Sequence, residues 1–64
     1  MFEDYKTGTL CKTDAPFKTQ TRIFSKDTIC IVSGPSSFGS CVQVLIEGTI
    51  IDVHWSNIKI LQKV

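Results

Sequence analysis

Hydrophobic and polar residues alternate in the second half of the chain in a way that predicts a β-hairpin. Residues 41–47 read CVQVLIE and residues 49–53 read TIIDV, so each segment has one apolar face when successive side chains point to opposite sides of a strand. Gly48, between them, can adopt the positive φ of a tight turn. A turn at Glu47 and Gly48 sets Val44 opposite Ile51, and a turn shifted by one residue changes the partners but not the buried face. The predicted core positions are Val42, Val44, Ile46, Ile51 and Val53.

Three further strands are predicted from β-branched runs on either side of this hairpin. Residues 10–12 follow Gly8, and residues 27–33 read DTICIVS. Residues 58–62 read IKILQ, with two isoleucines on one face. The chain therefore has five predicted strands and no predicted α-helix.

The connections between these strands are rich in turn-forming residues. Residues 13–26 contain Pro16 and have no sustained period, which is typical of a long surface loop or an irregular hairpin. Residues 34–40 read GPSSFGS, a cluster that breaks regular structure. Residues 54–57 read HWSN and interrupt the alternation, so we expect a short 3₁₀ turn before the last strand.

Length and composition fit one small globular domain. The chain has 64 residues, 42% hydrophobic and 20% charged, and a chain of this size buries only roughly 60% of its unfolded surface. We expect a single domain over residues 1–64, with residues 1–7 as a loosely ordered N-terminal arm. The net charge of +1 creates no overall field that would attract nucleic acid or anionic lipid.

The N-terminal residues and the cysteines indicate the compartment. The start MFEDYKTG is acidic where a signal peptide is basic, and no apolar stretch approaches the ~20 residues that span a bilayer. Cys11, Cys30 and Cys41 have no CxxC spacing, which argues against a disulfide framework and a zinc site. One disulfide with one free thiol is the alternative, and it requires an oxidising compartment. We expect a cytoplasmic protein with reduced thiols packed like small hydrophobic residues, no membrane segment, no metal and no cofactor.

The order of predicted elements resembles that of the small SH3-like β-barrels, which include SH3, Tudor and KOW-type domains. The resemblance is carried by GTLCK at residues 8–12 and by CVQVLIEGTIIDVHWSNIKIL at residues 41–61, with HWSN in the place of the 3₁₀ turn. It covers residues 8–62, and the sequence is also similar to short uncharacterised bacteriophage proteins of this kind. The resemblance implies an all-β fold: a five-stranded SH3-like barrel with a long loop after strand one and a one-turn 3₁₀ helix before the last strand.

Two departures from peptide-binding SH3 domains bear on function. Those domains present several tyrosines, with acidic residues in the loop after strand one, whereas this chain has one tyrosine, Tyr5, outside the predicted barrel. The corresponding loop here is basic, so it would repel proline-rich ligands that carry arginine. A Tudor-like cage needs several aromatic rings around a cation, and no acidic residue accompanies the rings of this chain.

His54 is the residue best suited to chemistry near neutral pH, because imidazole titrates in that range. In the predicted register it lies on the outer face opposite Cys41. A Cys–His pair can act as nucleophile and base, or as half of a metal site. No third orienting residue is recognisable beside it, so we predict no catalytic residue and no enzymatic activity.

We predict a non-enzymatic protein-interaction module; if the phage resemblance holds, it is an accessory protein that binds a host or virion protein. Aromatic residues fall in predicted loops and at the junction after strand four, away from the core positions. Trp55 is either a packing residue that closes one end of the barrel or a binding anchor, and Phe38 stands in a loop of small polar residues. The predicted partner-binding residues are Phe17, Phe24, Phe38 and Trp55.

Two alternatives remain open. The first is a KOW- or Tudor-like nucleic-acid-binding module, because residues 12–26 carry four cations against Asp14 with phenylalanines between them. The second is a self-associating structural protein, because Leu45 and Ile50 form an apolar pair on the outer face of the hairpin. The candidate nucleic-acid contacts are Lys12, Lys18, Arg22 and Lys26.

Overall fold

The computed structural model describes residues 5–62, and their regular structure is all β apart from one 3₁₀ turn at Trp55–Asn57. The all-β prediction and the 3₁₀ turn are therefore confirmed. The five predicted strands occur within a few residues of their expected bounds, and two short strands are added in the long loop. The strands are β1 (Leu10–Thr13), β2 (Phe17–Lys18), β3 (Ile23–Phe24), β4 (Ile29–Pro35), β5 (Cys41–Ile46), β6 (Thr49–His54) and β7 (Ile58–Gln62).

The five longer strands form one antiparallel sheet in the order β6-β5-β4-β1-β7. The first strand lies inside the sheet and pairs with β4 on one side and with β7 on the other. Within residues 5–62 no strand pairing joins β6 to β7, so the sheet is not closed into a barrel. Closure into an SH3-like barrel stays a prediction.

The β5–β6 hairpin has the predicted register. Glu47 and Gly48 both have positive φ, 49° and 83°, as a two-residue hairpin turn requires. Val44 lies opposite Ile51 and Leu45 opposite Ile50. Of the five predicted core residues Ile51 alone is half-buried, and it still packs against the core. The hydrophobic core consists of Cys11, Phe24, Cys30, Val32, Val42, Val44, Ile46, Val53 and Ile58.

Two of the three cysteines pack in this core. Cys11 and Cys30 face each other across β1 and β4 with their sulfur atoms 3.6 Å apart, and the Cys30 thiol donates a hydrogen bond to Cys11. This bond lowers the pKa of Cys11, whereas donating it, together with burial, raises the pKa of Cys30. All three thiols are free, and Cys41 differs from the prediction because it is only half-buried.

The long loop after β1 is a hairpin that folds back onto the sheet. The rings of Phe17 and Phe24 stack across β2 and β3 with centroids 5.1 Å apart, and Phe24 is buried in the core. The segment that returns to β4 is held by Thr13. Its hydroxyl donates to the Ser25 carbonyl at 2.8 Å and accepts from the Thr28 N–H at 2.9 Å. Of the two readings of this loop, the irregular hairpin is the correct one.

The chain before β1 runs along the sheet. The Gly8 N–H donates to the Val32 carbonyl at 2.8 Å, and Tyr5 packs against the core. Residues 5–7 of the predicted N-terminal arm are thus in contact with the fold, and residues 1–4 lie outside the described residues. Among residues 5–62, no helix has the length and apolar character needed to cross a lipid bilayer.

The hairpin turn allows a test of backbone strain. No heavy atom lies within 4 Å of the position that a β-carbon would take at Gly48 or at Gly39, but only Gly48 has positive φ. We expect Gly48→Ala to lower the free energy of unfolding by about 1–2 kcal/mol, because an L-residue is strained in this region. Gly39→Ala should change it by less than about 0.5 kcal/mol. Urea unfolding of both variants checks this, and equal effects would contradict it.

The buried hydroxyl of Thr13 allows a second test. In Thr13→Val the shape of the side chain is kept, but the Thr28 N–H and the Ser25 carbonyl each lose a hydrogen bond. We expect a loss of about 1–3 kcal/mol in the free energy of unfolding. Thr21→Val, at an exposed position in the hairpin, is the matched control and should be nearly neutral. Thermal or urea unfolding measures both; a neutral Thr13→Val would show that the hydroxyl does not hold the loop.

Candidate functional site

An apolar groove lies between the chain before β1 and the loop that joins β4 to β5. Its volume is about 470 Å³, and it is partly open to solvent. We call it the Tyr5–Phe38 groove after the two aromatic residues in its walls. The groove walls include Tyr5, Lys6, Pro35, Phe38, Cys41 and Val42.

The loop holds Phe38 in solvent by backbone hydrogen bonds. The Phe38 N–H donates to the Ser36 hydroxyl at 3.0 Å, and the Phe38 carbonyl accepts from the Cys41 N–H at 3.1 Å. The residue as a whole is 63% exposed. Neighbouring serines and glycines offer it no local apolar cover. The backbone at Phe38 is therefore restrained while its apolar surface faces the groove and the solvent.

Tyr5 forms the opposite wall and is half-buried. Its hydroxyl lies 3.4 Å from the Ile58 carbonyl and 3.5 Å from the Trp55 carbonyl, both long for an O–H donor. These contacts connect the start of the described chain to the 3₁₀ turn and to the last strand. The groove wall thus depends on residues fifty or more positions away in the sequence.

Trp55 connects the 3₁₀ turn to the groove loop. Its backbone N–H donates to the Ser40 carbonyl at 3.1 Å, and its half-buried side chain stacks on His54 with centroids 5.8 Å apart. His54 caps the turn, because its Nδ1 accepts from the Ser56 N–H at 3.2 Å and lies 2.7 Å from the Ser56 hydroxyl. The Trp55 backbone therefore helps to hold the fold together, while part of its side chain is exposed at the surface.

The Cys41–His54 pair lies at the end of the β5–β6 ladder, as the register predicted. The Nδ1 atom of His54 is hydrogen-bonded to Ser56, and this contact supports the 3₁₀ turn. In the part of the chain that the structure describes, no three His, Cys, Asp or Glu side chains are grouped as metal ligands. The absence of enzymatic activity stays a prediction.

The four predicted partner-binding aromatics do not share one surface. Phe38 lines the groove, and Trp55 is hydrogen-bonded through its backbone to Ser40 in the adjoining loop. Phe17 and Phe24 instead stack on each other in the β2–β3 hairpin. Phe24 is 1% exposed, which corrects the expectation that these rings lie away from the core. The hairpin turns it inward over the sheet, and two-residue strands give no alternation from which this direction could be read. Tyr5 was missed as a groove residue because its hydroxyl contacts the Trp55 and Ile58 carbonyls, which are distant in the sequence.

Two of the four predicted nucleic-acid contacts are engaged in ion pairs. Lys12 Nζ lies 2.8 Å from the Asp27 carboxylate, and Arg22 Nη2 lies 2.8 Å from the Glu47 carboxylate. The Arg22 guanidinium also lies 5.1 Å from the centroid of the Phe24 ring. The Lys12 ammonium, as hydrogen-bond donor and as charge, lowers the pKa of Asp27, and Asp27 raises the pKa of Lys12. The basic character of residues 12–26 is therefore partly neutralised by Asp27, the next residue in the chain.

The other two predicted nucleic-acid contacts, Lys18 and Lys26, are exposed. Lys18 borders a second hollow of about 580 Å³ at the tip of the β2–β3 hairpin. All walls of this hollow come from residues 18–23, with Ile23 78% exposed, and it lies apart from the core. A single exposed segment supplies no second element to hold a ligand, so the Tyr5–Phe38 groove is the better candidate.

Comparison with known proteins adds no relative: no protein-family model, curated protein or solved structure matches the chain. The resemblance to SH3-like and bacteriophage proteins therefore remains a prediction.

The Lys12–Asp27 pair leads to a prediction on pH dependence. Asp27 should titrate below the usual Asp value of about 3.9, and Lys12→Gln should raise its midpoint. Because the folded pKa of Asp27 is lowered, the pair stabilises the fold above the unfolded pKa and this contribution is lost as the pH falls through the folded pKa. For Lys12, whose pKa is raised, the contribution is lost as the pH rises through its folded pKa.

The measurement is an NMR titration of the Asp27 carboxyl carbon. Lys18→Gln is the control, because Lys18 is not among the groups that shift Asp27. An Asp27 midpoint that is the same in the wild type and in Lys12→Gln would show that Lys12 is available for other partners.

Proposed function

We propose that this protein is a protein-interaction module that binds an extended peptide segment of a partner protein in the Tyr5–Phe38 groove. The observation that carries the proposal is the exposed Phe38 ring, fixed by its backbone opposite Tyr5. Aromatic residues are enriched among the residues that dominate binding energy at interfaces. An exposed apolar surface with a polar rim is typical of such sites.

The shape of the groove favours a peptide over a small molecule. Its volume of about 470 Å³ is enough for a few side chains. Small-molecule sites bury most of the ligand surface in a cleft, whereas this groove is partly open to solvent. An extended peptide can lay one apolar side chain between Tyr5 and Phe38 while its backbone stays in contact with water.

The chemistry of the groove walls indicates the chemistry of the partner. Pro35 and Val42 add apolar surface to the two rings, and Lys6 places a cation at the rim. A complementary segment therefore carries an apolar or aromatic residue with an aspartate or glutamate beside it. The ion pair with Lys6 is exposed, so it contributes mainly to specificity and to the rate of association.

The SH3-like assignment belongs to this proposal. It is supported by the strand order β6-β5-β4-β1-β7, by the long loop after β1 and by the 3₁₀ turn before β7. The three free thiols support a reducing compartment, the cytoplasm. The nucleic-acid alternative has less support, because Lys12 and Arg22 are already paired with carboxylates.

The test is selection of a random peptide library on the intact folded protein, followed by calorimetry with the selected peptides. We expect selected sequences in which an apolar residue adjoins an acidic one. Phe38→Ala should weaken their binding about tenfold or more, the effect of losing a dominant interface residue. Ile23→Ala, which removes an even more exposed apolar side chain outside the groove, is the control and should bind as the wild type does.

Three outcomes would contradict the proposal. The first is the absence of any selected sequence, and the second is equal binding by Phe38→Ala and the wild type, with circular dichroism confirming that both are folded. The third is binding of DNA or RNA oligonucleotides that falls steeply with salt in the absence of peptide binding, which would favour the nucleic-acid alternative.

A further inference from the structure

A row of aliphatic side chains crosses the outer face of the sheet. Leu10 lies opposite Ile31, Ile31 opposite Leu45, and Leu45 opposite Ile50. Directly opposed residues in an antiparallel sheet point to the same face, so these four side chains stand side by side on β1, β4, β5 and β6. We call this row the outer stripe, and Ile29 adjoins it on β4.

The outer stripe is exposed. Ile29, Ile31, Leu45 and Ile50 have relative exposures between 42% and 56%, and Leu10 is half-buried. Their combined apolar surface is on the order of 400 Å², within the range of the largest patch on a monomer, which is often functional. The period of two explains the exposure, since the opposite face of the same strands forms the core. Nothing in the core requires aliphatic residues on the outside.

We infer that the outer stripe is the interface of a homodimer related by a twofold axis. The stripe consists only of leucine and isoleucine, as in the apolar core of homodimer interfaces. The outer stripe contains no aromatic residue, whereas the Tyr5–Phe38 groove has two. It is thereby distinct from the Tyr5–Phe38 groove, and the inference does not depend on the function proposed for that groove.

The charges around the stripe are arranged for self-association. Asp52 lies on the edge strand β6 beyond Ile50, and Lys59 lies on the other edge strand, β7, in the row of Lys12 and Ile29. These rows flank the stripe on opposite sides, so Asp52 and Lys59 mark diagonally opposite corners of the face. A twofold rotation that exchanges the corners sets Asp52 of each copy against Lys59 of the other. Lys59 lies opposite Lys12, whose charge is already balanced by Asp27.

The available area fits a weak dimer. Stable interfaces bury about 800 Å² per partner, and the stripe supplies about half of this area, as in weak, transient interfaces. A chain of 64 residues has a small core, so burial against a second copy adds a substantial fraction to its stability. The interface is isologous, because one face contacts the same face of the other copy.

Sedimentation velocity of the full chain over a wide concentration range tests the inference. We expect a reversible monomer–dimer equilibrium in the wild type and a dissociation constant raised about tenfold or more in Leu45→Lys, which places a charge in the stripe. Ile23→Lys is the matched control, since Ile23 is exposed but lies in the β2–β3 hairpin, and it should dimerise as the wild type does. Ile50→Lys, on the edge strand, serves if Leu45→Lys does not fold.

A charge reversal tests the twofold arrangement separately. Asp52→Lys and Lys59→Asp should each raise the dissociation constant about two- to thirtyfold, because each substitution removes two exposed ion pairs from a twofold dimer. The variant that combines both changes should return close to the wild-type value. Phe38→Ala should leave the equilibrium unchanged, so failure of this inference and failure of the groove proposal are separable.

Four results would overturn the inference. The first is a wild-type chain that stays monomeric at the highest concentration, and the second is equal effects of Ile23→Lys and Leu45→Lys. The third is growth beyond the dimer into open assemblies. The fourth is a charge-reversed double variant whose dissociation constant is no lower than those of the two single variants. Growth into open assemblies would mean that the stripe contacts a different face of the next copy.

Discussion

The pairing of β1 with β7 is the contact on which the other features depend. It joins the start of the described chain to its end, and β1 reaches β4 with its other edge. Without it, β7 would have no partner in the sheet and the 3₁₀ turn would not be held in place. Tyr5, which leads into β1, would then have no Ile58 carbonyl beside it and the groove would lose a wall. The pairing closes a loop of nearly the whole chain, so it forms at a high entropic cost that the core must offset.

The two faces of the sheet supply different kinds of surface. Alternation along each strand places aliphatic side chains both in the core and on the outer stripe, so one local rule accounts for both. The groove follows no such rule, because its walls come from the N-terminal segment and from a loop. Aromatic rings dominate the groove, and aliphatic side chains dominate the stripe. A surface for a foreign peptide and a surface for a second copy can therefore coexist on a very small domain.

The parts of the fold that follow from local pattern were predictable, and those that follow from distant contacts were not. The β5–β6 register follows from the period of two together with Gly48, and the 3₁₀ turn follows from the break at residues 54–57. Phe24 was assigned to the surface because β2 and β3 are too short to show alternation. Phe38 was recognised because its loop has no local core, whereas Tyr5 has partners that only the folded chain brings together.

The cysteines give the molecule an internal reporter of its own motions. Cys11 and Cys30 are free thiols that lie opposite each other on β1 and β4, in the core. A thiol-specific reagent reaches them only when these two strands separate. Cys41, at the rim of the groove, is partly accessible in the closed state. The rate at which Cys11 and Cys30 are labelled, relative to that of Cys41, therefore measures how often the sheet opens. Occupation of the groove shields the fast thiol alone, so ligand binding and sheet opening leave separate chemical signatures in one experiment.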